Sequence, residues 1–161
     1  MHPLWPKIES CYPQLWRAVC GYERGHQARE DLIQEVLMAL WQALPKLREA
    51  DKLLPFALRV AHNIGASHVR QAMRGPRSQS FEEMPIELAH EEADPRSEWL
   101  FNALTHLPVA LRQPLMLQLE GFDYQEIAAI LGISADNVGV RVHRARARLK
   151  QTMQEEKADV E

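Results

Sequence analysis

Five cations and no acid lie between Arg141 and Lys150: Arg141, Arg144, Arg146, Arg148 and Lys150. Guanidinium and ammonium groups at this density bind phosphate, and the counterions released make such binding strong and salt-dependent. Laid on a helix at about 100° per residue, the segment sorts into faces. Val138, Val142, Ala145 and Leu149 form a narrow apolar stripe. Asn137, Arg141, Arg144 and Arg148 fall on one flank, and Gly139, His143, Arg146 and Lys150 on the other. Val140 and Ala147 lie opposite the stripe. A small outer ridge between two polar, largely basic walls suits a DNA major groove, where the ridge approaches base edges and the walls reach phosphates. Asp136, Asn137, Val140 and Arg141, nearest the helix start, are the candidate base contacts. Arg144, Arg146, Arg148 and Lys150 are the candidate phosphate contacts.

The other chemistry-bearing residues converge less. His62 and His68 would stand about 240° apart around a helix, so they do not share a metal. Cys11 and Cys20 are the whole cysteine complement. Two are too few for a disulfide framework and no other ligands cluster with them, so buried structural thiols in a reducing compartment are expected. Glu120, Asp123 and Glu126 lack an accompanying nucleophile or oxyanion donors, so Glu126 reads as a capping or positioning side chain rather than a general base. Only 7 glycines and no glycine-rich loop argue against a nucleotide site. No catalytic residue, metal or cofactor is expected.

The basic helix must be positioned by what precedes it. Tyr124 to Leu131 reads as a short apolar helix, with Ala128 small where two helices would cross. Gly132 supplies a left-handed turn, Ile133 can plug the interhelical angle, and Ser134 or Asp136 can cap the next helix. This is helix-turn-helix grammar. Periodicity predicts helices over 7–24 (with Pro13 placing the start of regular helix near it), 28–44 and 55–74, then over 97–105, 108–119 (with Pro114 expected to kink or divide it), 123–131 and 135–152. No convincing strand alternation is present. The fold class is all-α: two small helical domains joined by an acidic flexible linker, the second a helix-turn-helix domain. The expected boundaries are 1–75, a linker at 76–96, 97–153, and a tail at 154–161.

Charge supports this division. The net charge of the 161 residues is only −3, but seven acids face one Arg96 between Phe81 and Glu98. No apolar run of about 20 residues spans a membrane and the N-terminus does not read as a secretory signal, so the expected location is the cytoplasm, with no membrane insertion. Within 28–44, Leu32, Val36, Leu37, Leu40, Trp41 and Leu44 make an apolar face. Asp31, Gln34, Glu35, Met38 and Gln42 lie opposite, and a methionine in a polar stripe suits a partner surface.

Three blocks, in order, resemble the bacterial extracytoplasmic-function (ECF) sigma factor family. They are Asp31-Leu-Ile-Gln34-Glu35-Val-Leu-Met-Ala-Leu-Trp41; Pro55-Phe56-Ala-Leu-Arg-Val-Ala61-His-Asn63 with Arg70; and Leu107-Pro108, Arg112, Glu120-Gly121-Phe-Asp-Tyr124-Gln-Glu126-Ile127-Ala128, Leu131-Gly132-Ile133-Ser134, Asn137-Val138 and Arg144-Ala145-Arg146. The resemblance implies a protein that binds core RNA polymerase, directs it to promoters and assists −10 melting. It places Asp31, Gln34, Glu35 and Met38 on the β′ clamp helices, and makes the β subunit a further contact. It places Asn63, His68, Arg70, Gln71 and Arg74 at the −10 element and the C-terminal helix at the −35 element. It leaves room for an anti-sigma factor as a third partner. A sigma-like decoy and a stand-alone helix-turn-helix regulator are the alternatives. Two positions depart from the family pattern: Gly139 where Lys is frequent, and Ser67 where Asp is frequent.

Overall fold

The structure, a computed structural model, describes residues 2–73 and 94–160. Among them every regular element is helical. The chain divides into two compact units, Met1–Glu92 and Ala93–Glu161. The expected linker lies outside the described residues except for 94–96, which open the first helix of the second unit; Arg74 lies outside them as well.

The first unit contains α1 (Trp5–Ser10), α2 (Tyr12–Cys20), α3 (His26–Ala43) and α4 (Leu53–Ala72), with short 3-10 turns at Leu44–Lys46 and Ala50–Lys52. The stretch expected as one helix over 7–24 is two helices broken at Cys11; the second begins where regular helix is expected to start, with Pro13 in its first turn, where a missing N–H costs nothing. Helices α2, α3 and α4 pack on one another, and α1 closes on α2 and α4. Their shared core holds Trp5, Ile8, Leu15, Leu32, Ile33, Leu37, Leu40, Leu44 and Leu58. Each such side chain contributes about 1.5–3 kcal/mol on burial. Trp41, expected in this core, is 42% exposed; Ile33, not expected there, takes a buried place on the same helix. Trp41 instead lays its ring edge-to-face on buried Trp5, with centroids 5.0 Å apart.

Two polar devices lock this unit. Arg29 is buried and donates Nε–H to the Glu23 carbonyl at 2.7 Å and Nη2–H to the Cys20 carbonyl at 3.5 Å, satisfying the carbonyl end of α2. Buried His62 shares a 2.7 Å hydrogen bond with the Tyr22 hydroxyl through Nδ1. The Tyr22 ring lies so close to Gly65 that a Cβ there would stand 2.6 Å from the ring, so only glycine fits without a shift.

The second unit contains α5 (Pro95–Thr105), α6 (Val109–Leu119), α7 (Tyr124–Leu131) and α8 (Ala135–Val160). Helices α6, α7 and α8 pack mutually around Leu115, Leu117, Ile127, Val138, Val142 and Ala145, while α5 lies on α8. Buried Arg112 donates Nη2–H to the carbonyls of Thr105 and Leu107 at 3.1 and 2.7 Å, closing the end of α5. Pro114 neither divides nor ends α6. It removes one backbone donor, and buried neighbours Leu111, Leu115 and Met116 hold the helix through that gap.

Helix α8 does not stop near 152; the expected tail at 154–160 is helical. The segment 151–160 holds strong helix formers and no glycine or proline. Gln151 Nε2 donates to Glu155 at 3.3 Å, and Trp99 Nε1 of α5 donates to Glu156 at 2.6 Å. That indole contact spans 57 residues and is invisible to local pattern.

Candidate nucleic-acid interface

The turn that presents α8 is built from local parts. Asp123 and Glu126 form a reciprocal capping box at the start of α7: Glu126 N–H donates to Asp123 Oδ1 at 2.8 Å, and Asp123 N–H to Glu126 Oε1 at 3.0 Å. Glu126 is thus the capping side chain expected of it. Gly132 ends α7 with φ 72° and ψ 35°, the left-handed geometry that disfavours other residues, and its N–H donates to the Ala128 carbonyl at 2.8 Å. Ser134, rather than Asp136, caps α8, its Oγ accepting from the Asn137 N–H at 3.1 Å.

Helix α8 then stands as its wheel predicts. Val138, Val142 and Ala145 are buried, Leu149 is half-buried, and Val140 is 47% exposed. Asp136, Asn137, Arg144, Arg148 and Lys150 are exposed, and Arg141 is half-buried. Arg146 is exposed yet held: Gln118 Oε1 of α6 accepts from its Nε and Nη2 at 3.2 and 2.6 Å. The side-chain amide therefore aims one guanidinium of the basic wall. This partner was not expected from the sequence, since Gln118 stands 28 residues away.

The residues expected at the −10 element separate into two groups. Asn63 and Arg70 are exposed at helical spacing on α4, with half-buried Ser67 between them; Ser67 Oγ accepts from Arg70 Nη2 at 3.0 Å. Exposed Arg59 stands one turn before Asn63 on the same stripe and is a cation the sequence reading missed; its i, i+4 spacing was the available signal. Gln71 is half-buried, about 80° from Asn63. His68 is turned about 140° from Asn63 and bonds to the Glu23 carboxylate. That bond, followed by the nearby Glu23 and Glu35 charges, raises the imidazole above its ordinary 6.5 against the opposing effect of burial.

The four residues expected on a partner surface of α3 are unequally open. Asp31 is exposed and accepts from Gln27 Nε2 at 3.0 Å; Gln34, Glu35 and Met38 are half-buried. Burial pushes the Glu35 carboxyl above its usual range, with His68 partly offsetting this. Trp41 falls within about 20° of Gln34, so an indole expected in the core is instead exposed on the same stripe of α3. Burial raises the Cys11 thiol, and Cys20 is buried.

Fold and surface together define an all-helical, two-unit DNA-binding protein with a helix-turn-helix reader in its second unit. Comparison with known proteins narrows the class. The family models for sigma-70 region 2 and sigma-70 region 4 match residues 8–75 and 97–149. The ECF RNA polymerase sigma factor ShbA of Streptomyces griseus is 34% identical over 132 residues, covering 75% of this chain and 69% of ShbA. The ECF RNA polymerase sigma-E factor of Escherichia coli K12 is 30% identical over 139 residues, covering 77% of this chain and 73% of that protein. The chain spans only 38% of a longer relative, the probable RNA polymerase sigma factor RfaY of Xanthomonas campestris, at 25% identity and 89% coverage of this chain. The sigma factor RpoE of Bartonella quintana, solved with the anti-sigma factor NepR, shares the fold at TM-score 0.72 and 23% identity, over 96% of this chain and 98% of RpoE. The chain belongs to the ECF RNA polymerase sigma factors, the promoter-directing subunits of bacterial RNA polymerase.

Proposed function

We propose that the two units divide promoter recognition between them. In the second unit, Asp136, Asn137, Val140 and Arg141 meet base edges of the −35 element, and Arg144, Arg146, Arg148 and Lys150 meet phosphates on either side. The observation that carries this reading is the outward Val140 on a helix whose opposite side buries Val138, Val142 and Ala145, with exposed cations on both flanks. In the first unit, the α4 stripe of Arg59, Asn63 and Arg70 tracks the −10 strand, supported by spacing and exposure. Arg74 and Gln71 extend that set. His68 contributes through its ion pair with Glu23 rather than by direct contact. The α3 stripe of Asp31, Gln34, Glu35, Met38 and Trp41 docks on the β′ clamp helices, and the β subunit receives the second unit. An anti-sigma factor is the third proposed partner, by analogy with the RpoE–NepR complex. The protein works in the cytoplasm and supplies recognition, while the polymerase supplies bond formation. No helix among the described residues is long and apolar enough to cross a membrane.

The test separates the surfaces. Arg144→Ala with Arg148→Ala should lower promoter occupancy by the holoenzyme about 10-fold or more and flatten its salt dependence, leaving core binding intact. Asp31→Ala with Met38→Ala should weaken core binding and leave promoter choice unchanged. Equal loss of both activities in both variants, with folding intact, would refute the division. Specific retardation of duplex DNA without polymerase would favour the stand-alone regulator. Core binding without initiation at any promoter would favour the decoy.

A further inference from the structure

The flank of α8 beside its outer ridge is bare at Gly139, and the structure shows what occupies the space. A Cβ at Gly139 would stand 3.3 Å from Cε2 and 3.7 Å from Cδ2 of Tyr124, so the phenol ring of the first residue of α7 lies against the bare backbone of α8. The ring is not sequestered there: Tyr124 is 40% exposed, and Val140, the next residue of α8, is 47% exposed. An aromatic ring and a branched aliphatic side chain are therefore exposed beside adjacent positions at the start of the reading helix. Around them the surface is polar or cationic, with Asn137 and Arg144 exposed.

From this juxtaposition we infer that Tyr124 and Val140 form one apolar contact on the −35 duplex that reads the 5-methyl group of thymine. The inference rests on the promoter-reading role of α8 and adds the chemistry of what is read. In the major groove thymine alone among the four bases presents a methyl group, and small apolar side chains are its usual partners. Exposed cations on the flanks of the same helix supply the charge match that brings this apolar patch against a polyanion. Gly139 is the enabling position. A long side chain there would displace the Tyr124 ring and replace apolar readout with its own polar contact. Tyr124 is thereby a specificity-determining residue although it lies outside the reading helix.

The experiment uses holoenzyme assembled from core bacterial RNA polymerase and the full chain. Promoter duplexes randomised across the −35 region are selected for occupancy. In the best selected duplex each thymine is then replaced singly by deoxyuridine, which removes only the methyl group. At one or two positions the replacement should lower occupancy about three- to fivefold, the worth of one buried methyl group. The same replacement should have no effect in Val140→Ala or in Tyr124→Ala. Deoxyuridine effects that persist undiminished in both variants would mean that the methyl acts through DNA shape, and would overturn the inference. A selected −35 sequence indifferent to every deoxyuridine would overturn it while leaving promoter reading intact. Selection of no −35 sequence at all, with core binding retained, would instead remove the reading on which it rests.

Discussion

The two units reach similar helical compactness by different means. In the first, none of the α-helices carries a side-chain N-cap among the described residues, and order comes from contacts far apart in sequence. Tyr22 meets His62 across 40 residues, Glu23 meets His68 across 45, and Arg29 reaches back to close α2. In the second unit helix ends are written locally. Asp94 caps α5, Asp123 and Glu126 box the start of α7, Gly132 closes it, and Ser134 caps α8. Local punctuation fixes the angle at which α8 leaves the turn, which is what a groove reader needs. Long-range polar contacts instead couple α4 to the loop before α3.

The largest effect should come from attacking a close approach in the first unit. Gly65→Ala drives a methyl into the buried Tyr22 ring and should cost that unit about 1–3 kcal/mol. Hydrogen exchange on the full chain should show protection lost across α2 to α4 and kept in α6 to α8. Protection lost equally in both would contradict their separate construction. A somewhat smaller effect is expected at the turn. Gly132→Ala must adopt φ near 72° and should cost about 1–2 kcal/mol, confined to α7 and α8. Asp123→Ala, which removes one half of the capping box, should cost about 0.5–2 kcal/mol in the same place, read by the same exchange.

The smallest effect distinguishes the units by pH. The folded pKa of His68 is raised above 6.5, so its ion pair with Glu23 stabilises the first unit fully below that value. The contribution is lost as pH rises through the raised folded value. Both partners are partly exposed, so solvent screening holds the effect below about 1 kcal/mol. Exchange protection of α4 should therefore fall slightly from pH 6 to pH 8, and His68→Gln should flatten that slope. A slope of the same size in the variant would reject the pair as its source.

The same contrast explains what was legible in the sequence. The helix-turn-helix was readable because its signals are short-range: Gly132, the capping residues and the alternation of Val138, Val142 and Ala145 around α8 all lie within one or two turns. The apolar face of α3 was readable as a stripe, but periodicity could not say that Trp41 would yield its core place to Trp5, which arrives from 36 positions upstream on α1. Nor could it pair His68 with Glu23, Arg146 with Gln118 or Trp99 with Glu156, because each depends on which helices pack together. Helix α8 runs past 152 because its last residues are good helix formers and Glu156 is held by the Trp99 indole of α5, a contact that local pattern does not show.

The central claim is most directly tested by transcription with core bacterial RNA polymerase, with and without the purified chain, on fragmented DNA from its source. New discrete transcripts should begin downstream of a shared pair of sequence elements and be lost in Arg144→Ala with Arg148→Ala. The absence of both transcripts and core binding would contradict the claim.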